Sequence, residues 1–190
     1  VAGGAVAGAA AAALVVFGLG RIGGRLVPQA VLLVGIVFNQ FVAGVITLMK
    51  LLVPPEQASR LTYWLVGTVG TERGPMLAVA LGLVVASLAM LLVLSARLNL
   101  LTLGDEEAAS LGVDVRRDRA LVFFAASAAT GAAVALAGMV GFVGLIVPHL
   151  VRRVVGPDHR LLVPAATLFG AAFLVLADAG ARLADRKSTR

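Results

Sequence analysis

Long apolar runs, separated by short polar connections, dominate the sequence. A helix needs about 20 apolar residues to cross a bilayer, because the hydrocarbon core is about 30 Å thick and each helical residue rises about 1.5 Å. Five runs reach roughly that length and one is shorter. They extend from Val1 to Leu19, from Pro28 to Leu52, from Gly74-Pro75 to Arg97, from Arg119 to Gly138, from Gly141 to Val155 (the short run) and from Leu161 to Arg182. This pattern predicts an all-α polytopic membrane helix bundle with about six membrane helices.

The composition agrees with lipid as the surrounding medium. Hydrophobic residues make up 60% of the chain and charged residues 14%, whereas a soluble domain carries about 25% charged residues. The net charge of +6 does not indicate a nucleic-acid partner, because the arginines lie at the ends of apolar runs and form no basic stripe with interleaved aromatic residues. The chain contains no cysteine, which excludes disulfides and thiolate metal sites.

The distribution of positive charge predicts the orientation in the membrane. If the six runs cross alternately, nine of the sixteen Lys and Arg residues fall on one side. These nine are Arg21, Arg25, Arg97, Arg116, Arg117, Arg119, Arg152, Arg153 and Arg160. By the positive-inside rule this side is cytoplasmic, and the segment "VPHLVRRVVGPDHR" is then a tight hairpin on that side.

The longest predicted cytoplasmic connection is "TLGDEEAASLGVDVRRDR", residues 102 to 119. We expect a short amphipathic helix here, with Asp105 as the cap, Glu106 and Glu107 at the positive end of its dipole, and Gly112 after its end. Such a helix is a candidate docking surface for a soluble partner. A solvated loop is the alternative.

The outer connection, residues 54 to 75, contains the single tyrosine and the single tryptophan of the chain, Tyr63 and Trp64. An interfacial helix with an aromatic anchor is one interpretation. The other is a gate or vestibule wall, in which Gly67 and Gly70 permit hinge motion.

Asn39 and Gln40 in the second run are polar enough to line a path or to join helices by hydrogen bonds. Small residues recur every four positions and predict a face for close helix packing, with a general alanine bias as the alternative. They are Ala125, Ala129, Ala133, Ala137 and Gly141.

Asp178 is the acidic residue within an apolar run, and Arg182 follows it by four positions on the same helix face. It is either a partnered structural residue or a proton relay of an ion- or proton-coupled transporter. An intramembrane enzyme with His149 and Asp178 as an acid-base pair would need the two close together, whereas the topology places them toward opposite faces.

His149, Asp158 and His159 do not form a convincing metal site, because a turn with Pro157 separates the histidines.

The segment "GMVGFVGLIVPHLVRRVVGPDHRLLVPAATLFGAAFLVLADAGARL", residues 138 to 183, resembles the permease subunits of bacterial ABC importers for iron-siderophores, haem and vitamin B12. The segments "LTLGDEEAASLG" and "YWLVGTVGT" are also similar to their counterparts in that family. The motif residues, to which the resemblance gives a structural role, are Gly141, Gly144, Pro148, His149, Arg152, Gly156, Asp158, His159, Arg160 and Asp178.

The resemblance implies a fold of ten membrane helices, of which this chain corresponds to helices four to nine. We therefore expect residues 1 to 190 to be one transmembrane permease domain of a longer protein, whose first three helices and last helix lie outside this sequence. Residues 104 to 112 would be the coupling element pressed by the ATPase, with contacts from Asp105, Glu106, Glu107, Ala108, Ala109, Leu111 and Gly112. Residues 56 to 70 would belong to an outer gate helix. Arg182 would dock the binding protein, and Gln29 would lie near the inner gate.

The resemblance also implies the partners: a second permease subunit, identical or different, two ATP-binding subunits and a periplasmic substrate-binding protein, at the bacterial inner membrane. The sequence has no Gly-Lys phosphate-binding loop, so ATP and its Mg²⁺ are expected in the partner and no cofactor in this chain. The expected cargo is an iron-siderophore or a related metal chelate such as haem or cobalamin.

Overall fold

The computed structural model describes residues 2–66, 74–138 and 141–188. The elements are α1 (Ala2–Leu19), β1 (Arg21–Ile22), β2 (Arg25–Leu26), α2 (Pro28–Leu52), α3 (Pro55–Val66), α4 (Pro75–Leu101), α5 (Asp105–Ser110), α6 (Val115–Ala137), α7 (Val143–Val155) and α8 (His159–Ser188). The prediction of a helical membrane bundle is confirmed. Proline at the first position of α2 and of α4 suits the helix start, where its missing N–H costs no hydrogen bond.

Four helices in the described part of the chain are long and apolar enough to cross a membrane: α2, α4, α6 and α8. The other two predicted runs form shorter helices, α1 with 18 residues and α7 with 13. At 1.5 Å per residue α7 is about 20 Å long, which is less than the thickness of the hydrocarbon core.

A two-stranded antiparallel hairpin joins α1 to α2, a feature that the hydropathy pattern did not predict. Arg21 faces Leu26 and Ile22 faces Arg25 across the ladder. Gly23 and Gly24 form the turn with φ of 58° and 77°, which is the left-handed backbone that a two-residue hairpin turn requires. The hairpin holds the end of α1 close to the start of α2.

The helices pack in a row. The order of neighbours is α2, α1, α6, α4, α8 and α7, and α3 packs against α2. The helices α4 and α6 therefore occupy the middle of the described structure. Near one end of the row, α2 has no buried residue, and large apolar side chains are exposed along it and along α8. A surface this apolar fits lipid or partner subunits as its surroundings.

The closely packed face of α6 shares Ala125 with the predicted four-residue repeat but otherwise follows different residues. Ala125, Gly131 and Ala132 are buried, whereas Ala133 is exposed. A Cβ on Gly131 would lie 2.7 Å from the Cβ of Ala9 on α1, so only glycine permits this helix approach. The buried face passes through Ala125 and Ala132, which are seven positions apart, and the prediction was wrong for Ala133.

The three connections predicted on one side lie together at one end of the bundle. Side-chain hydrogen bonds link Arg119 to Leu26 of the hairpin and Asn99 to Asp158 of the α7–α8 turn. We call this the polar end; it comprises residues 20–27, 97–119 and 152–160. The helices thus run alternately toward and away from this end, in agreement with the charge pattern.

Candidate functional site: the polar end of the bundle

The short helix α5 lies at the polar end, where the sequence predicted an amphipathic helix. Its N-cap residue is Gly104, with φ of 123° and no side-chain capping bond. The expected capping role of Asp105 is therefore wrong, because Asp105 is already the first helical residue and its carboxylate pairs with Arg119. Gly112, with φ of 84°, ends the helix as predicted.

The predicted coupling residues divide between the two faces of α5. Ala108 is completely buried and Asp105 is half-buried, so this face packs against the bundle. The opposite surface is formed by exposed residues: Glu106, Glu107, Ala109, Ser110, Leu111 and Gly112. Leu111 is 59% exposed, which leaves an acidic surface with one large apolar side chain for a partner.

Arg119 on α6 connects α5 with the hairpin. Its Nη2 lies 2.5 Å from Oδ1 of Asp105, and its Nη1 donates to Oδ2 of Asp105 at 2.9 Å. The same Nη1 also donates to the backbone carbonyl of Leu26 at 3.2 Å. One guanidinium therefore binds two elements, which its planar arrangement of donors permits.

The neighbouring residue Asp118 pairs with a different helix. Its carboxylate accepts from Nη1 of Arg97 on α4, at 3.0 Å for Oδ1 and 3.3 Å for Oδ2. The side chain of Asp118 is 1% exposed and that of Arg97 is 56% exposed. A buried carboxylate needs such a partner, so this pair joins α4 to α6.

Asn99 joins the end of α4 to the turn between α7 and α8. Its amide Nδ2 donates to Oδ1 of Asp158 at 2.6 Å, and its Oδ1 accepts from the backbone N–H of His159 at 2.8 Å. The backbone N–H of Arg160, together with the Asn99 amide, holds the pKa of Asp158 below its ordinary value of 3.8. Asp158 and His159, expected as motif residues with a structural role, thus serve as contact points between helices.

The other motif residues lie along α7 and α8. Pro148 is inside α7, and Gly156 follows its end with φ of 95°. His149, Arg152 and Arg160 are exposed. Exposed Gly141 precedes α7, and Gly144, which is also exposed, lies in its first turn. In the described ranges no three His, Asp or Glu residues are placed to hold a metal ion.

Asp178 forms the ion pair that the four-residue spacing indicated. Its Oδ2 lies 2.8 Å from Nε of Arg182 on the same helix. No hydrogen bond between Asp178 and His149 occurs among the described residues. The arrangement favours the interpretation of Asp178 as a partnered residue over an acid-base pair with His149.

The candidates for the transport path are only partly described. Gln29, Asn39 and Gln40 are exposed on α2. Tyr63 and Trp64 belong to α3, and their side chains are outside the described part of the structure. Gly67 and Gly70, the proposed hinge residues, also lie outside the described residues.

Comparison with known proteins relates this architecture to membrane transport. The sequence matches the FecCD transport family over residues 1–189. The chain belongs to this family.

Two relatives illustrate the likeness within the FecCD family. The cobalamin import system permease protein BtuC of Halobacterium salinarum is 44% identical over 178 residues, which is 94% of this chain and 48% of that protein. The hemin transport system permease protein HmuU of Yersinia pestis is 38% identical over 180 residues, 94% of this chain and 53% of that protein. The FecCD chain described here thus spans about half the length of these relatives.

A solved structure supports the same fold. It is described as a metal-chelate type ABC transporter in an inward-facing conformation, and it is 33% identical to this chain with a TM-score of 0.76. The likeness covers 82% of this chain and 51% of that structure's chain. The helix bundle of the FecCD chain is therefore an ABC transporter membrane fold.

Four residues at the polar end have contacts that the sequence pattern did not predict: Arg97, Asn99, Asp118 and Arg119. Arg97 and Asp118 are 21 positions apart, Asn99 and Asp158 are 59 apart, and Arg119 and Leu26 are 93 apart. In the sequence, these residues are visible only as polar residues near the ends of apolar runs. That pattern indicates that a contact is needed, but it does not identify the partner.

Proposed function

We propose that this chain forms about half of the permease subunit of an ATP-driven importer that moves a metal chelate inward across the cytoplasmic membrane. The chelate belongs to the class of iron-siderophores, haem and cobalamin. Relatives named for cobalamin, hemin and Fe(3+) dicitrate transport support this class of cargo. These ligands share a large size and a metal that is already held by a chelating organic ligand.

The proposal rests on α5, which has both an exposed surface and an attached, buried side. A coupling element must present a surface to the ATP-binding subunit and must also be attached firmly to the helices that it moves. The exposed surface around Glu107 and Leu111 meets the first requirement. The buried Ala108 and the paired Asp105 meet the second. An independent solvated loop would not need either attachment.

The surface of α2 supports a path beside this helix. Asn39 and Gln40 lie in the middle of a helix that has no buried residue. An amide side chain in contact with hydrocarbon is costly, because its donors and acceptors lose their hydrogen bonds with water. We therefore assign this side of α2 to a water-filled path or to a second permease subunit, with Gln29 at its cytoplasmic mouth.

The proposed orientation places the polar end in the cytoplasm. The nine Lys and Arg residues of the predicted inner side belong to the connections that meet at this end. The positive-inside rule then puts α5 in the compartment that contains ATP. The ATP-binding subunits dock on this end, and the periplasmic binding protein docks on the opposite end beside Arg182.

The experiment is a double substitution in the complete permease, assembled with its ATP-binding subunit. The double substitution Glu107→Ala and Leu111→Ala removes a negative charge and a large apolar side chain from the exposed surface around α5. We expect the affinity for the ATP-binding subunit to fall by about tenfold or more. ATP hydrolysis by the complex should fall with it, while insertion into the membrane is retained.

The matched control removes one charged and one apolar side chain at the end of α2 that is far from α5. Leu52 is 76% exposed, and Lys50 lies two residues before it. Lys50→Ala with Leu52→Ala should leave ATP hydrolysis, measured without the binding protein, unchanged. Equal hydrolysis by the α5 variant and this control would refute a coupling role for α5. Uptake that continues without ATP but stops when the proton gradient collapses would instead support a carrier that uses Asp178.

A further inference from the structure

We infer that Arg119 is a positioning residue that transmits displacement of α5 to the β1–β2 hairpin and from there to α2. The inference rests on the proposed function, since it gives α5 a mechanical role. It identifies the contact through which motion of the coupling element reaches the helix that carries Asn39 and Gln40.

An open space separates α5 from the hairpin. A cavity of about 580 Å³ lies between them, lined by Gly23 and Gly24 on one side and by Asp105 and Glu106 on the other. Arg119 also lines this cavity. Among the described residues, its side chain supplies the hydrogen bonds that join the two elements across the cavity.

The geometry of the contact suits transmission of force. The bidentate pair with Asp105 fixes the guanidinium relative to α5, because two parallel bonds prevent rotation about either one. The remaining bond of Nη1 goes to the carbonyl of Leu26. Arg119 is 22% exposed, so limited access of water strengthens these bonds relative to a surface pair.

Leu26 lies next to the start of α2. Its side chain is 7% exposed, so it is held in the polar end by packing as well. The following residue, Val27, donates its N–H to Gly20 and accepts from the N–H of Val31 in the first turn of α2. A shift of the Leu26 carbonyl therefore reaches α2 through two residues of bonded backbone.

The test substitutes Arg119 in the complete, assembled transporter. Arg119→Lys keeps the charge but has a single ammonium, which cannot hold the bidentate pair and the Leu26 carbonyl together. Arg119→Gln keeps a donor and removes the charge. Two quantities are measured: the rate of ATP hydrolysis and the number of cargo molecules moved per ATP. Both are measured in proteoliposomes with a cognate binding protein. The cargo molecules tested are an iron-siderophore, haem and cobalamin.

We expect both variants to assemble and hydrolyse ATP, while the cargo moved per ATP falls about 5-fold or more, the lower end of typical coupling between two sites. The matched control is Arg97→Lys, which weakens the ion pair with Asp118 at the polar end. Among the described residues, Arg97 forms no hydrogen bond or ion pair with α5 or the hairpin. It should reduce thermal stability and leave the cargo moved per ATP at the wild-type value.

Two results would overturn the inference. One is a wild-type ratio of cargo to ATP in both Arg119 variants. The other is an equal fall of this ratio in Arg97→Lys, which would show a general loss of structure. A failure of the proposed function can be distinguished from a failure of this inference. If α5 has no coupling role, the Glu107 and Leu111 double variant hydrolyses ATP at the wild-type rate, whatever the Arg119 variants do.

Discussion

The carboxylate of Asp118, which is almost completely buried at the start of α6, lies 3.0 Å from Nη1 of Arg97 on α4. Asp118 and its neighbour Arg119 point to different helices, since Arg119 pairs with Asp105 of α5. The first turns of α6 therefore hold α4 on one side and α5 on the other. Because α4 and α6 form the middle of the bundle, the position of α5 is fixed relative to the most central helices.

Removal of Arg97 should destabilise the bundle more than removal of both partners. Arg97→Met leaves the buried carboxylate of Asp118 without a counter-charge. We expect the free energy of unfolding to fall by about 3 kcal/mol. This is the low end of the range for buried pairs, because Arg97 is 56% exposed. Arg97→Met combined with Asp118→Leu should recover most of this loss. Thermal unfolding in detergent measures the difference, and equal stability of the single and double variants would contradict it.

Gly131→Ala should force α1 away from α6. The new Cβ would lie 2.7 Å from the Cβ of Ala9, which has no flexible side chain that could move aside. Overpacking of this kind costs about 1–3 kcal/mol. Gly82→Ala in α4 is the control, because a Cβ there meets no atom within 4 Å. The prediction fails if the two variants unfold at the same temperature.

The contact between Asn99 and Asp158 should respond to acid. Hydrogen bonds from Arg160 and Asn99 depress the pKa of folded Asp158 below 3.8. The stability from this contact is therefore complete above the ordinary pKa and is lost as the pH falls through the lower, folded pKa. Asn99→Ala should unfold at a lower temperature near neutral pH, and its difference from the wild type should shrink below about pH 4. A difference that is constant from pH 3 to pH 7, roughly the range on both sides of an ordinary Asp pKa, would show that Asp158 does not contribute.

Arg182→Glu should weaken docking of the periplasmic binding protein. If Arg182 meets an acidic residue, the reversed charge repels it, and the loss of affinity should diminish at high salt because ions screen exposed charges. Asp178→Asn is the informative control, since it removes the 2.8 Å ion pair and leaves Arg182 in place. Docking should be retained in that variant, and an equal loss in both would indicate that the ion pair only stabilises the end of α8.

Hydropathy predicted most helix bounds because a membrane helix must satisfy its backbone within one continuous segment. The run from Pro28 to Leu52 is α2 without any difference in its ends. The ion pair of Asp178 with Arg182 was predictable for a similar reason, as a spacing of four places two side chains on one helix face. Local periodicity was sufficient in both cases.

Contacts between distant segments could not be predicted in the same way. Arg119 and Leu26 are 93 positions apart, and their contact depends on how α1, α2 and α6 pack. The packed face of α6 shows the same limit, because the choice between Ala133 and Gly131 depends on where α1 lies. Asp105 looked like a helix cap from its neighbours, whereas its actual partner belongs to α6.

Single cysteines are the most direct test that the polar end lies in the cytoplasm, because these 190 residues contain none. Arg153→Cys, at an exposed position of the polar end outside α5, and Lys50→Cys at the opposite end of α2 would be treated with a membrane-impermeant maleimide in intact cells, in the complete permease with any other cysteines replaced. We predict labelling of position 50 in intact cells and of position 153 only after permeabilisation. Labelling of position 153 from outside the intact cell would contradict this orientation.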